Sequence, residues 1–186
     1  MRPDLIDDNR SVWLAALPPY ERLPALRGDH TADLVIVGGG ITGVSTAWHL
    51  SERYPDRRIV LLEARGLGNG ASGRNGGQVL NGINGVEPRD ADLGRRVFAA
   101  TSAGIDTLES LARASTIDCG FSRRGCLEVY TTEASAREAE ARVATWRAWG
   151  LPMQWLSGAG IGMRGVHGAV LDPGAAMVNC AALLRG

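Results

Sequence analysis

An α/β fold built around a parallel sheet is what this 186-residue sequence predicts, and three observations predict it. A short apolar, β-branched run, Leu34-Val35-Ile36-Val37, ends in glycines. A stretch with apolar residues close to helical spacing follows, and a second apolar run, Ile59-Val60-Leu61-Leu62, comes next and stops at Glu63. Strand, helix and strand within about 30 residues make one βαβ unit. The wholly apolar first run suits a strand buried on both faces, as parallel sheets require.

The elements can be justified in order. Residues 1–30 are punctuated by Pro3, Pro18, Pro19 and Pro24 and read as an irregular leader, with Trp13, Leu14 and Leu17 available to pin it to the body. After the first strand, Ile41, Val44, Trp48 and Leu50 carry a helix that proline breaks at Tyr54-Pro55. Residues 66–85 hold Gly66, Gly68, Gly70, Gly73, Gly76, Gly77, Gly82 and Gly85, a density that fits a loop passing close to something. From Pro88 the apolar positions Leu93, Val97, Thr101, Ile105, Leu108 and Ala112 step by three or four along a helix of about 25 residues. Leu127, Val129 and Thr131 alternate with Glu128 and Tyr130, as in a half-buried strand. A second amphipathic helix from Glu133 places Ala136, Ala139, Val143 and Trp146 on one face and stops at Gly150-Leu151-Pro152. Residues 153–156 and 168–171 are strand candidates, and 175–186 reads as the start of a helix. No internal repeat is found.

Composition narrows the chemistry. The chain is 45% hydrophobic and 22% charged, with 20 acidic and 20 basic residues, the profile of a soluble globular protein. Every basic residue is Arg, so a P-loop lysine, a Schiff-base lysine and a lysine base are all excluded within these residues. Balanced charge without a basic stripe argues against a nucleic-acid partner. Cys119, Cys126 and Cys180, with His30, His49 and His167, do not have metal-ligand spacing, and no metal is expected. Trp146, Trp149 and Trp155 read as core, Arg123-Arg124 as a solvated hairpin turn, and Cys119 and Cys126 as ordinary reduced thiols. The acids Asp4, Asp7 and Asp8 replace the apolar run of a signal peptide, and no stretch approaches a membrane span, so a cytoplasmic location is expected.

One motif carries chemistry. Gly38, Gly40 and Gly43 fit G-x-G-x-x-G, with Gly39 and Thr42 inside it. Gly38 permits the tight turn out of the strand, Gly40 lets a pyrophosphate approach the backbone, and Gly43, with Ala47 one turn on, lets helix and strand pack closely. The helix N-terminus then faces the phosphates. Glu63 follows 20 residues after Gly43 at the end of the next strand, where a carboxylate accepts hydrogen bonds from ribose hydroxyls and repels a 2′-phosphate. Arg65 is the one residue placed to greet such a phosphate. An adenine dinucleotide is the implied ligand.

Three segments together resemble the FAD-dependent oxidoreductases of the D-amino-acid oxidase (DAO) family: 32–43, Leu62-Glu63-Ala64, and Gly70-Ala71-Ser72-Gly73-Arg74-Asn75-Gly76-Gly77-Gln78. The last segment, and the leader with Trp13, look most like the γ-glutamylputrescine oxidoreductase branch. The resemblance implies FAD as cofactor and a Rossmann-like FAD-binding domain of the GR2 type, followed by the beginning of a truncated α+β substrate domain. Residues 1–30 are then the leader, 31–85 the FAD-binding βαβ unit with its flavin loop, and 86–186 an incomplete remainder. It further implies that Ala71 is among the cofactor-binding residues, that Ser72 and the backbone around Arg74 and Asn75 meet the pyrophosphate, and that Gly76, Gly77 and Gln78 run beside the isoalloxazine ring. The implied reaction is oxidation of a CH–NH bond in an amine or amino acid. No catalytic residue is assigned, and a C-terminal half is expected to be missing. The alternatives are a non-catalytic dinucleotide-binding fragment and an NAD-linked dehydrogenase.

Overall fold

The computed structural model of the chain describes residues 11–83 and 87–186. Asp4, Asp7, Asp8 and the rest of the first ten leader residues, and Gly85 of the glycine-rich run, lie outside the described residues. The described chain forms two compact units. The first takes in the described part of Met1–Gly77 with Ser115–Cys119 and Asn179–Gly186, and the second is Gln78–Ala114 with Gly120–Val178.

In the first unit, a short helix α1 (Val12–Ala15) precedes β1 (Leu34–Val37), α2 (Ile41–Arg53) and β2 (Ile59–Leu62). The two strands pair in parallel from Leu34↔Ile59 to Val37↔Leu62, the βαβ unit expected. The Asp33 carboxylate fixes the entry of β1 by accepting the Arg58 N–H at 2.9 Å and pairing with Arg57 at 3.3 Å. The expected burial of β1 on both faces is not met. Ile36 lies against α2, where the Gly43 backbone comes close, whereas Val35 and Val37 on the opposite face are 57% and 83% exposed. One helix covers one face, and the strand's alternation sends every second side chain away from it.

The unit closes with α6 (Cys180–Arg185), whose capping residue Asn179 accepts the N–H groups of Ala181 and Ala182 at 3.1 and 3.0 Å. This helix starts later than the sequence suggests because residues 176–177 are taken up in a strand. Cys180, Ala181, Ala182 and Leu184 are buried, and the Arg185 guanidinium stacks 4.3 Å from the Tyr20 ring centroid.

The second unit contains β3 (Gln78–Val79), α3 (Ala91–Ala114), β4 (Cys126–Tyr130), α4 (Glu133–Ala148), β5 (Gln154–Ser157), α5 (Gly158–Ile161), β6 (Gly168–Asp172) and β7 (Ala176–Met177). Strands β4, β6 and β5 make an antiparallel sheet in that order, and β3 pairs with β7. Helix α4 packs on the sheet: Ala139, Val143 and Val170 form the buried centre, with Tyr130, Trp146 and Trp155 around it. Register explains a reversal in β4. Val170, under α4, stands opposite Glu128 and Trp155, so Leu127 and Val129 point to the other face and are 45% and 42% exposed. Tyr130, not the Leu127–Val129 pair, is the residue of β4 that joins the core.

Helix α3 buries Ile105 and Ala112 from the expected face, and Gly94 admits the Trp149 ring, whose nearest atom would lie 2.7 Å from an added Cβ. Arg123 and Arg124 are exposed, as expected, but Arg123 is tied to other elements. Its guanidinium reaches Asp106 at 2.5 Å, Glu109 at 3.2 Å and the Gly174 carbonyl at 3.0 Å, partners on α3 and on the turn after β6.

Truncating Val143, 1% exposed at the centre of the α4–sheet contact, removes two buried methyl groups. Val143→Ala should cost on the order of 2 kcal/mol in urea unfolding followed by tryptophan fluorescence.

Candidate functional site

The turn between β1 and α2 has the geometry its glycines imply. Gly38 has φ +104°, a backbone conformation that L-residues with a Cβ rarely adopt. Gly40 is the N-cap of α2 in extended conformation and makes no side-chain capping bond. An added Cβ on Gly43 would stand 1.9 Å from the Gly38 carbonyl oxygen and 3.5 Å from Ile36, so the helix meets the strand through bare backbone. Thr42 lies in the first turn of α2, its carbonyl accepting the Thr46 hydroxyl at 2.7 Å.

Glu63, immediately after β2, is drawn into this turn. Its Oε2 accepts the Gly39 N–H at 2.7 Å, and its Oε1 accepts those of Arg65 at 2.9 Å and Gly66 at 3.4 Å. These amides, first Arg65 and then Gly39, with Ala64 also contributing, hold the carboxyl below the ordinary Glu range against the opposing effect of burial. Arg65 serves here through its backbone, and no ion pair of its side chain is found among the described residues.

A feature that sequence reasoning missed lies 30 residues on. Gly68, Gly70 and Gly73 form a second G-x-G-x-x-G. Gly68 has φ +74°, Gly70 caps a 3₁₀ turn (Ala71–Gly73) with φ −87° beside −85° for Gly40, and an added Cβ on Gly73 would lie 1.9 Å from the Gly68 carbonyl oxygen. The six-residue repeat was legible as a pattern, but with no apolar run on either side it lacks the context that makes the first motif readable.

The two turns are joined. The Ile41 N–H, at the open end of α2, donates to Ser72 Oγ at 3.0 Å, and the Gly68 N–H donates to the Gly39 carbonyl at 3.2 Å. A Cβ on Gly40 would meet Ser72 Oγ at 2.8 Å. An oxygen therefore already rests on the first free amide of α2, over a glycine without a side chain, which is the chemistry a phosphate oxygen requires.

Beyond Ser72 the loop is wired through Asn75: its Nδ2 donates to the Ser72 carbonyl and its Oδ1 accepts the Gly77 N–H, both at 2.8 Å. The Arg74 Nε donates to the Asn69 carbonyl at 3.3 Å. Gly77 has φ +70°, and Gly76 is exposed beside it. Gln78 opens β3, where its side-chain amide lies 3.8 Å from Cys126 Sγ. The structure thus brings Gly38, Gly39, Gly40, Gly43, Glu63, Ala64, Arg65 and Ser72 to one place and carries Ala71, Arg74, Asn75, Gly76 and Gly77 on the adjoining loop. His167 is exposed, and Cys119 is buried. Among the described residues no group of three or more His, Cys, Asp or Glu could hold a metal, and no helix is long and apolar enough to cross a membrane.

Comparison with known proteins supplies independent information. A family model described as FAD dependent oxidoreductase matches residues 33–186. Gamma-glutamylputrescine oxidoreductase of Escherichia coli (strain K12) is 31% identical over 155 residues, 78% of this chain and 35% of that protein. Glycine oxidase of Geobacillus kaustophilus is 28% identical over 128 residues, 69% of this chain and 33% of that one. The crystal structure of the latter's namesake from Geobacillus kaustophilus superposes with a TM-score of 0.69 at 25% identity, over 84% of this chain and 43% of the other. L-amino acid deaminase from Proteus myxofaciens shares the fold, with a TM-score of 0.66 at 20% identity, over 91% of this chain and 38% of the other. The chain spans about a third of the length of these two curated relatives.

Three substitutions test these readings. Gly43→Ala should destabilise the chain by on the order of 3 kcal/mol, because backbone must move. Gly104→Ala, in α3 with nothing within 4 Å of its Cβ, should raise stability by up to about 1 kcal/mol in the same urea titration. Glu63→Gln should lower the melting temperature at neutral pH. Because the folded-state pKa of Glu63 is depressed, its contribution is full above the unfolded-state value and is lost as pH falls through the folded one. The melting curves of variant and parent should therefore converge in acid.

Proposed function

Since the chain belongs to the FAD-dependent oxidoreductases of the DAO family, we propose that its two joined glycine turns hold the diphosphate of FAD and that the whole protein oxidises an amine or amino acid at a CH–NH bond. The observation that carries this reading is Ser72 Oγ on the Ile41 amide above Gly40. A phosphate oxygen that takes the place of this hydroxyl would meet the positive end of a 13-residue helix beside a glycine that carries no side chain.

Each residue then has a part. Gly40 and the Ile41 amide receive one phosphate, and Ser72 and the backbone of Ala71 and Arg74 reach the diphosphate from the second turn. Each carboxylate oxygen accepts two bonds, so Glu63 Oε2 can keep the Gly39 amide and still take a ribose hydroxyl. Gly76 and Gly77 offer backbone without side chains, as a flat ring system needs. When bound, FAD would supply the two-electron oxidant for the C–H bond beside the substrate nitrogen; with the nitrogen's proton passing to solvent, the resulting imine would hydrolyse to a carbonyl compound and an amine or ammonia. The relatives' names support a small amine or amino acid as the substrate class: one carries putrescine in its name and another glycine.

Purified chain, incubated with FAD and passed through gel filtration, should retain the yellow flavin spectrum. Gly40→Val should lose it while its far-ultraviolet circular dichroism stays that of the parent, and Gly76→Val should do the same. A colourless parent protected from unfolding by NAD but not by FAD would overturn the reading in favour of an NAD-linked one. A yellow protein that turns over no primary or secondary amine would leave a dinucleotide-binding module.

A further inference from the structure

The segment that follows Gly70 has few side chains with which to hold its shape, since Gly73, Gly76 and Gly77 contribute none. Ordering such backbone is costly in conformational entropy. Part of its order comes from the leader. Ser11 is 4% exposed, in a leader whose later residues are largely open to solvent. Its hydroxyl donates to the Gly73 carbonyl and accepts the N–H groups of Trp13 and Leu14 at 3.1 and 3.4 Å, so its one donor and both lone pairs are used. Two residues on, the Trp13 indole Nε1 donates to the Asn75 carbonyl at 2.8 Å. Asn75 is the residue whose side chain ties Ser72 to Gly77, so a bond to its carbonyl fixes the centre of that tie.

Both bonds join residues 62 positions apart and both land on loop backbone. None of the four residues of α1 is buried, so this helical turn adds little to a core of its own. What it does do is cap itself on Ser11 and present one hydroxyl and one indole N–H to the loop.

We propose that Ser11 and Trp13 are positioning residues for the cofactor loop: the leader straps residues 73–77 into the shape that receives FAD, and FAD affinity depends on it. The proposal rests on the reading of residues 71–77 as a FAD loop, and its test separates the two. Arg74 is exposed within the strapped segment, so trypsin cleavage after it, identified by mass spectrometry on the full chain without FAD, reports loop order directly.

Trp13→Phe keeps the ring and removes the N–H; Ser11→Ala removes the hydroxyl, and Ser11→Thr keeps it. Trp13→Phe and Ser11→Ala should each raise cleavage after Arg74 several-fold, roughly fivefold for the loss of one hydrogen bond, with the rest of the tryptic map unchanged. Both should weaken FAD retention and alter the circular dichroism of the bound flavin, and Ser11→Thr should restore both properties. Cleavage after Arg74 at the parent rate in both Trp13→Phe and Ser11→Ala overturns the strap, even if one of them folds poorly. Faster cleavage with parent-like FAD affinity and flavin spectrum overturns its role in receiving the cofactor. If the parent itself binds no FAD, the functional reading falls and the cofactor role of the strap falls with it, while the cleavage rates still decide whether the leader orders the loop.

Discussion

The bond from the Ile41 amide to Ser72 Oγ joins two turns that have the same local construction, and the rest of the site is arranged about it. It satisfies an amide that the helix cannot satisfy internally, and it brings the second glycine turn over the first beside Gly40, where no Cβ intervenes. Glu63 then braces the first turn through Gly39, and Gly39 in turn accepts from Gly68 of the second. Remove the glycines and the turns separate; remove Ser72 and the amide is left to solvent. The site is therefore mostly backbone, with side chains entering at a few points to hold that backbone in place.

How much of this could be read from the sequence depends on whether the cause was local. β1, α2 and β2 were legible because four-residue apolar runs and a proline-stopped helical pattern are local signals, and Gly38, Gly40, Gly43 and Glu63 sit at fixed offsets from them. The matching glycines Gly68, Gly70 and Gly73 were legible as a pattern but not as a turn, since a three-residue 3₁₀ turn has no periodicity to announce it. β3 and β7, two residues each, exist only because they pair with one another across almost a hundred positions. The face that β4 covers was likewise decided by its register with β6, and Arg123 found acids on α3 that its own neighbourhood does not suggest.

Two strands, in different sheets, leave an apolar face open. Val35 and Val37 on β1, and Leu127 and Val129 on β4, are apolar residues on strands whose other face carries the helix contact. Parallel strands ordinarily need cover on both sides. A chain that spans about a third of the relatives it matches carries apolar strand faces that its own described residues leave exposed.

The close approaches at glycine also bear on how this sequence can change by descent. At Gly94 the obstacle to a methyl group is the Trp149 ring, and at Gly168 it is the Trp155 ring. A second mutation that shrinks the tryptophan would make room, so those positions are free to vary in pairs, and their effects should be strongly non-additive. At Gly43 and Gly73 the obstacle is a carbonyl oxygen, of Gly38 and Gly68, which every amino acid possesses. No partner substitution can relieve it. Drift in this chain is thus open where side chain meets side chain, and closed at glycines such as Gly43, Gly73 and Gly158, where the main chain meets itself.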